Sequence, residues 1–462
     1  MTTAAPYSDC SILIRHALLL RPGSTSLLLE DQAIAIGAGR ILACGDDTLI
    51  APQYPKIART IDARRHLVVP GLVNSHNHTP LMITRGMVED LSFAPMYTPS
   101  VPQGHWLSHE ECELLALLGV FELLRAGSTT IVDYYRHPKA VAAAHARLGT
   151  RAIVAGRVHD ADPQALAQGR YDWCDKIGYQ TLEENALLIE QWDNYDGGRI
   201  RCDWAPHAPD TCSMHLLKRV AELAQRHGGN IHTHLAQSQA EVRVVRERDG
   251  MSPAELLDVT GLLGPSTIAA HCIHLSEADI QRCGQARIGV AYSPIGNARS
   301  GEIAPILRLQ QAGSRISLCT DTMSGDLIEA MRWAVSMQRV KSQEFVLDAA
   351  TVLEWATLGG ARVLGLENSI GKLEVGFKAD MLLLDLDSPS LAPVIDGVGV
   401  LVHSASGKDV HTVIIDGRIV LENGLPTLAD GPELLREAQA CAARLWRKAG
   451  RSVPAPYGHF YK

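Results

Sequence analysis

Between residues 66 and 340, short runs rich in Val, Ile, Ala and Thr alternate with longer stretches whose apolar residues recur at helical spacing. No other feature restricts the fold as much, because parallel strands need a long crossover, and a helix is the usual way to make one. Eight strands are expected, at 67–78, 129–135, 151–159, 200–207, 230–235, 267–274, 287–294 and 315–321. Helices are expected between them, for example at 109–126, 214–226 and 326–340. Eight such units close into a (β/α)8 TIM barrel, an α/β fold whose reactive face is the C-terminal end of the strands.

The flanks differ in texture. Residues 10–65 and 379–421 hold short alternating runs broken by glycine and aspartate, including the turn at Asp416-Gly417, which suggests antiparallel strands. The expected organisation is therefore a small β-sandwich domain built from both chain ends (1–66 and 366–425), a barrel at 67–365, and a C-terminal helix with its tail at 426–462. A helix is also expected at 349–364.

With 462 residues, 46% hydrophobic and 20% charged, the chain can bury a large core and shows no signature of disorder. A net charge of −8 without a Lys/Arg-rich block argues against nucleic acid and anionic membrane as partners and favours a small neutral substrate. No cationic leader with an apolar run is read at the N-terminus, and no apolar stretch approaches the ~20 residues that span a bilayer. The ten cysteines are scattered singly, which fits a reducing cytoplasm, and Cys202, Cys272 and Cys319 are expected to be buried, inert thiols.

The chemistry is concentrated where the strands end. The first ends in Asn74-Ser75-His76-Asn77-His78, and the period of two places both imidazoles on one side of the strand. The fifth ends in Ile231-His232-Thr233-His234, the sixth in Ala270-His271-Cys272-Ile273-His274, the eighth in Leu318-Cys319-Thr320-Asp321. One such residue alone is more often structural. Three histidines and a carboxylate at four strand ends suit a single divalent ion, zinc before Fe2+, Co2+ or Mn2+, with a position open for water.

These segments, with Pro70-Gly71-Leu72-Val73, Arg125-Ala126-Gly127-Ser128-Thr129-Thr130 and Ser369-Ile370-Gly371-Lys372-Leu373-Glu374-Val375-Gly376-Phe377-Lys378-Ala379-Asp380, resemble the amidohydrolase superfamily over nearly the whole chain. The likeness is to the branch of deaminases and triazine chlorohydrolases, near the phenylurea and thiocarbamate (molinate) hydrolases. It implies His76, His78, His234 and Asp321 as metal ligands, Asp321 also as proton acceptor, and His271 as the group that polarises the substrate. Two-metal relatives carry a modified lysine at the end of the fourth strand. Here that strand ends in Trp204-Ala205-Pro206-His207-Ala208-Pro209, so one ion is expected. The resemblance also implies a homo-oligomer.

One position departs from the pattern. Ring deaminases of the branch place a glutamate three residues after the fifth-strand histidine, whereas this chain has Gln237. An amide donates a hydrogen bond but cannot shuttle a proton, so attack on an aromatic ring loses its acid and hydrolysis of an amide, urea or carbamate becomes the first reading. The alternative is a deaminase or chlorohydrolase acting on a purine, pterin or triazine ring, and a non-catalytic binding protein is the reading from another class. Glu241 is expected on a solvated helix face. His207, Gln237, Tyr135 and Trp106 are the expected substrate contacts, and Trp106 lies with Met82 and Met87 in the long loop after the first strand.

Overall fold

The computed structural model describes residues 10–22, 27–90, 100–322 and 324–451. Eight parallel staves form the central barrel: β1 (Leu72–Asn77), β2 (Ser128–Tyr135), β3 (Arg151–Val158), β4 (Ile200–Cys202, resuming at Ala205–Pro206), β5 (Ile231–Leu235), β6 (Thr267–His271), β7 (Gly289–Tyr292) and β8 (Arg315–Leu318). Ladders join β1 through β4 and β5 through β8. Main-chain bonds close the two seams: the His232 N–H donates to the Trp204 carbonyl (2.9 Å), and the Asp321 N–H to the His76 carbonyl (3.1 Å). Inside, Val73, Val132, Ile153, Ile268, Ala270, Ala291 and Cys319 fill the lumen, and Ala361, Val363, Leu364 and Ile370 belong to the same cluster. The residues above this plug are polar.

The expected first strand is really two. Residues His66–Pro70 pair antiparallel with Met381–Asp385 in another sheet, and only after Gly71 does the chain enter the barrel. Any side chain at Gly71 would overlap that of Thr129, so the crossing from one sheet to the other needs glycine there. The expected helix at 349–364 is likewise split, into Ala349–Trp355 and Leu358–Val363, at the non-helical Thr357. The helices His109–Arg125, Met214–His227, Leu327–Ser342 and Gly431–Lys448 lie where the periodicity places them.

The small domain is a nine-stranded sheet drawn from both flanks, running from Leu425–Pro426 through His66–Pro70 and Ile12–Arg21 to Arg40–Asp46. It curls on itself: Ile41 exchanges main-chain bonds with Gly376 and Phe377 (both 2.9 Å), and Ile14, Leu19 and Ile36 share a core with Val68, Met381 and Ile414. A buried ion pair ties it to the barrel. Arg151, the first residue of β3, grips Asp380 through Nε–Oδ2 (2.8 Å) and Nη2–Oδ1 (3.1 Å), both side chains being over nine-tenths buried.

Breaking such a pair strands a charge in a dry interface. Arg151→Met is therefore expected to lower unfolding free energy by about 3–5 kcal/mol. Chemical denaturation of the metal-loaded protein measures it, and a loss below about 1 kcal/mol would show that the two domains dock without the pair.

Candidate active site

The strand ends bring the expected residues together. His76 and His78 leave β1, His234 is the penultimate residue of β5, His271 ends β6, and Asp321 follows β8. His76, His78, His234 and His271 are all at least nine-tenths buried. The His76 and His78 Nε2 atoms lie 3.7 and 3.9 Å from Asp321 Oδ1, and the His271 Nε2 lies 3.8 Å from Oδ2. The His271 ring stacks on that of His234, with centroids 5.3 Å apart.

Hydrogen bonds decide which nitrogens face the centre. The His78 Nδ1–H donates to the Tyr134 carbonyl (2.6 Å) and the His234 Nδ1–H to the His207 carbonyl (2.7 Å), since a carbonyl can only accept. Burial holds His76, His78 and His234 well below the usual imidazole range, so all three are neutral. The Nε2 atoms of His78 and His234 thus present lone pairs to each other at 3.3 Å; the Tyr134 hydroxyl lies 3.2 Å from the His234 Nε2, and the His78 Nε2 is left facing a second acceptor. The His76 Nε2 is buried without a partner. A cation resolves all three at once. Two nitrogens at the ~2.0–2.1 Å of a tetrahedral zinc ligand stand about 3.3 Å apart, so this donor set fits one divalent metal ion.

The seam between β8 and β1 fixes the carboxylate. Asn74 and Asn77 both donate through Nδ2 to the Thr320 hydroxyl (2.7 and 2.9 Å), Asn77 also donates to the Asp321 carbonyl, and Ser75 donates to the Leu318 carbonyl (2.9 Å). Asp321 itself adopts φ +55°, and Ala236, His271 and Cys272 share this left-handed backbone at neighbouring strand ends. Burial raises the Asp321 carboxyl above its ordinary range, against the pull of His271 and Arg157, which suits a proton acceptor.

Several further residues support the cluster. Tyr134 is fully buried, its ring 4.6 Å from that of His78 and its hydroxyl 2.7 Å from the His234 Nδ1. Asp133 accepts from the Thr79 N–H (3.1 Å) and hydroxyl (2.5 Å), so it pins the chain just beyond His78, with His145 behind it (3.1 Å). The inward alternation of β2, Val132 then Tyr134, was the available signal for the tyrosine.

The expected substrate contacts separate. His207 is buried beside the cluster, its ring 4.8 Å from that of His234 and its Nδ1 2.7 Å from the Thr211 hydroxyl. Gln237 follows the strained Ala236 and is half-buried. Tyr135 is fully buried and its hydroxyl accepts from the Gly104 N–H (2.7 Å), which ties it to the loop. Trp106 is half-buried on the short turn Gly104–Trp106 of that loop, whose residues 91–99 lie outside the described residues.

Glu241 corrects the expectation outright. It lies on the helix Gln239–Asp249, but its side chain is wholly buried and turns back to accept from the Ala236 N–H (2.7 Å) and the Gln237 N–H (2.8 Å). Helical periodicity could not reveal a partner in the preceding turn. Burial, with Asp210 adding repulsion, pushes its carboxyl up to about 8.

Residues 67–420 match the model of the Amidohydrolase family. A 5-methylthioadenosine/S-adenosylhomocysteine deaminase of Desulforudis audaxviator is 35% identical over 441 residues, covering 94% of this chain and 99% of that one. A 5'-deoxyadenosine deaminase of Methanosarcina acetivorans is 32% identical over 95% of this chain and 99% of its own. Among solved structures, an adenosine deaminase from Xanthomonas campestris with bound zinc superposes with a TM-score of 0.82 at 28% identity, covering 94% and 98% of the two chains. No helix among the described residues is long and apolar enough to cross a membrane.

Two outcomes follow from the geometry. Metal analysis of reconstituted protein is expected to find one divalent ion per chain, falling at least tenfold in His234→Asn; two equivalents would refute the single-ion site. Glu241, whose folded pKa is raised, contributes stability that is present below about pH 4.5 and lost as pH rises towards 8. The difference in unfolding midpoint between wild type and Glu241→Gln is therefore expected to shrink from pH 5 to pH 8, and a constant or growing difference would contradict the assignment.

Proposed function

The chain belongs to the Amidohydrolase family and is a metal-dependent hydrolase of carbon–nitrogen bonds in a small molecule, and we propose that its substrate carries the scissile bond on a carbonyl, as an amide, urea or carbamate. The observation that carries this reading is the pair Gln237 and Glu241. Gln237 stands where a ring deaminase needs an acid, and Glu241, four residues on, has both oxygens engaged by backbone N–H groups. The remaining carboxylate beside the histidines is Asp321, enough for a carbon that is already electrophilic.

In this proposal His76, His78, His234 and Asp321 hold zinc, the ion found in the Xanthomonas campestris relative. Such an ion would lower the pKa of water from about 15.7 to roughly 7 and would polarise a carbonyl. Asp321 takes the water's proton on a carboxylate oxygen and hands it to the departing nitrogen as the carbon–nitrogen bond breaks. His271, oriented by its Nδ1 contact with the Asn297 Oδ1 (3.2 Å), stabilises the charge that develops on the carbonyl oxygen. His207, its Nδ1 occupied by Thr211, and the Gln237 amide orient the substrate.

A second reading is favoured by the relatives: hydrolytic deamination of an adenosine-type nucleoside, with Gln237 orienting the ring. We further propose a cytoplasmic homo-oligomer with its chemistry confined to the barrel. All ten cysteines are unpaired, and Val340, in the last turn of the helix Leu327–Ser342, and Phe345, just beyond it, leave apolar surface exposed.

Product analysis on metal-reconstituted protein separates the two reactions. Amides, ureas and carbamates are expected to yield amine with the matching acid or carbon dioxide, and Asp321→Asn is expected to cut turnover by about 10²–10⁴. Ammonia released from 5'-deoxyadenosine or methylthioadenosine, with no turnover of the carbonyl panel, would refute the first reading.

A further inference from the structure

Three arginines among the described residues are buried, and two of them are paired. Arg151 is held by Asp380, while Arg199 is held by Asp196 and the Thr150 carbonyl. The third, Arg157, is 6% exposed and makes no hydrogen bond or ion pair among the described residues; its Nε is buried without a partner. What it does touch is the Tyr135 ring, whose centroid lies 5.2 Å below the guanidinium carbon. A cation over a ring face gains attraction but leaves its in-plane donors unused.

Its position gives the unused donors a direction. Along β3 the residues facing the lumen alternate as Ile153, Ala155 and Arg157, the first two packing in the interior clusters, so Arg157 sits at the reactive end. It lies level with Ala205 on β4, two residues before His207. Its positive field acts on His78, His207, His234 and Asp321 alike. With an ion of charge +2 bound, Asp321 as the carboxylate among the histidines and Arg157 uncompensated, the pocket is strongly positive.

A buried guanidinium that lacks a protein anion is a site for a ligand's anion, and its planar fork matches a carboxylate. We propose that Arg157 is the anion-recognition residue of this pocket and that the substrate presents a carboxylate to it. The inference rests on the histidine cluster being the substrate site, not on which bond is cut. It leaves overall neutrality intact, because a zwitterion carries a carboxylate at no net charge. It also makes the recognition bipolar: the scissile carbon faces Asp321 and His271, and the carboxylate faces β3.

Calorimetric titration of the zinc-loaded full chain tests this with ligands that have no carbon–nitrogen bond to cleave, so the outcome is independent of the reaction assigned above. Benzoate and succinate are expected to bind at least tenfold tighter than benzyl alcohol and butane-1,4-diol. Arg157→Met is expected to erase that preference while the zinc content stays at the wild-type level. Arg157→Lys, which keeps the charge but loses the fork, is expected to retain part of it. No preference in the wild type, or one that survives Arg157→Met at full zinc loading because the carboxylate sits on the ion, would overturn the proposal. If Arg157→Met does not fold, a preference changed less than threefold in Arg157→Lys overturns it as well.

Discussion

The arrangement on which the rest depends is the convergence of imidazole lone pairs in a dry place. Neutral histidines can be buried cheaply, but two Nε2 atoms 3.3 Å apart with no proton between them repel. Neither ring can supply that proton, since each ring's N–H is already committed to a backbone carbonyl. The fold accepts the repulsion because those carbonyls belong to neighbouring staves: Tyr134 on β2 holds His78, and His207 beyond β4 holds His234. Barrel closure and ligand orientation are thus one set of bonds, and an ion that enters finds its donors already aimed.

The polar seam extends the same logic to the carboxylate. A barrel joint made of apolar side chains would close as well, yet β8 and β1 meet through Ser75, Asn74, Asn77, Ser317 and Thr320. Their directional bonds define the place of Asp321 as a hydrophobic contact could not. The cost appears in the backbone, where Ala236, His271, Cys272 and Asp321 take left-handed conformations at about 1–3 kcal/mol each. Strain gathered at strand ends, over a rigid apolar plug, is what pre-organisation looks like in a fold of this kind.

Much of this was legible before any coordinates. His76-Asn77-His78, His234, His271 and Asp321 declare themselves because strand ends of a barrel converge, so residues 245 apart in the chain become neighbours by topology alone. What periodicity could not show are contacts that run against it. Glu241 has the spacing of a surface residue, but it reaches back into the turn before its own helix. Gly71 looks like one residue in a continuous strand, though it is where the chain changes sheets. Tyr135 and Tyr134 are adjacent and chemically identical, and only the inward register of β2, fixed by Val132 in the lumen, says which of them meets the histidines.

The substitution at Gln237 gains meaning from Glu241. The turn that carries residue 237 is shaped by a buried carboxylate that clasps its N–H and that of Ala236. The side chain of residue 237 is therefore presented from a fixed backbone. Replacing an acid by an amide at such a position changes the chemistry on offer without moving the atom that offers it: a directional donor and acceptor remain, and the transferable proton is gone. The loss falls on substrates that need protonation before attack and spares those that need only orientation. With Arg157 supplying fixed positive charge on the adjoining wall, the proposed reaction would rely on placed dipoles and charges around one mobile proton, assigned in that proposal to Asp321.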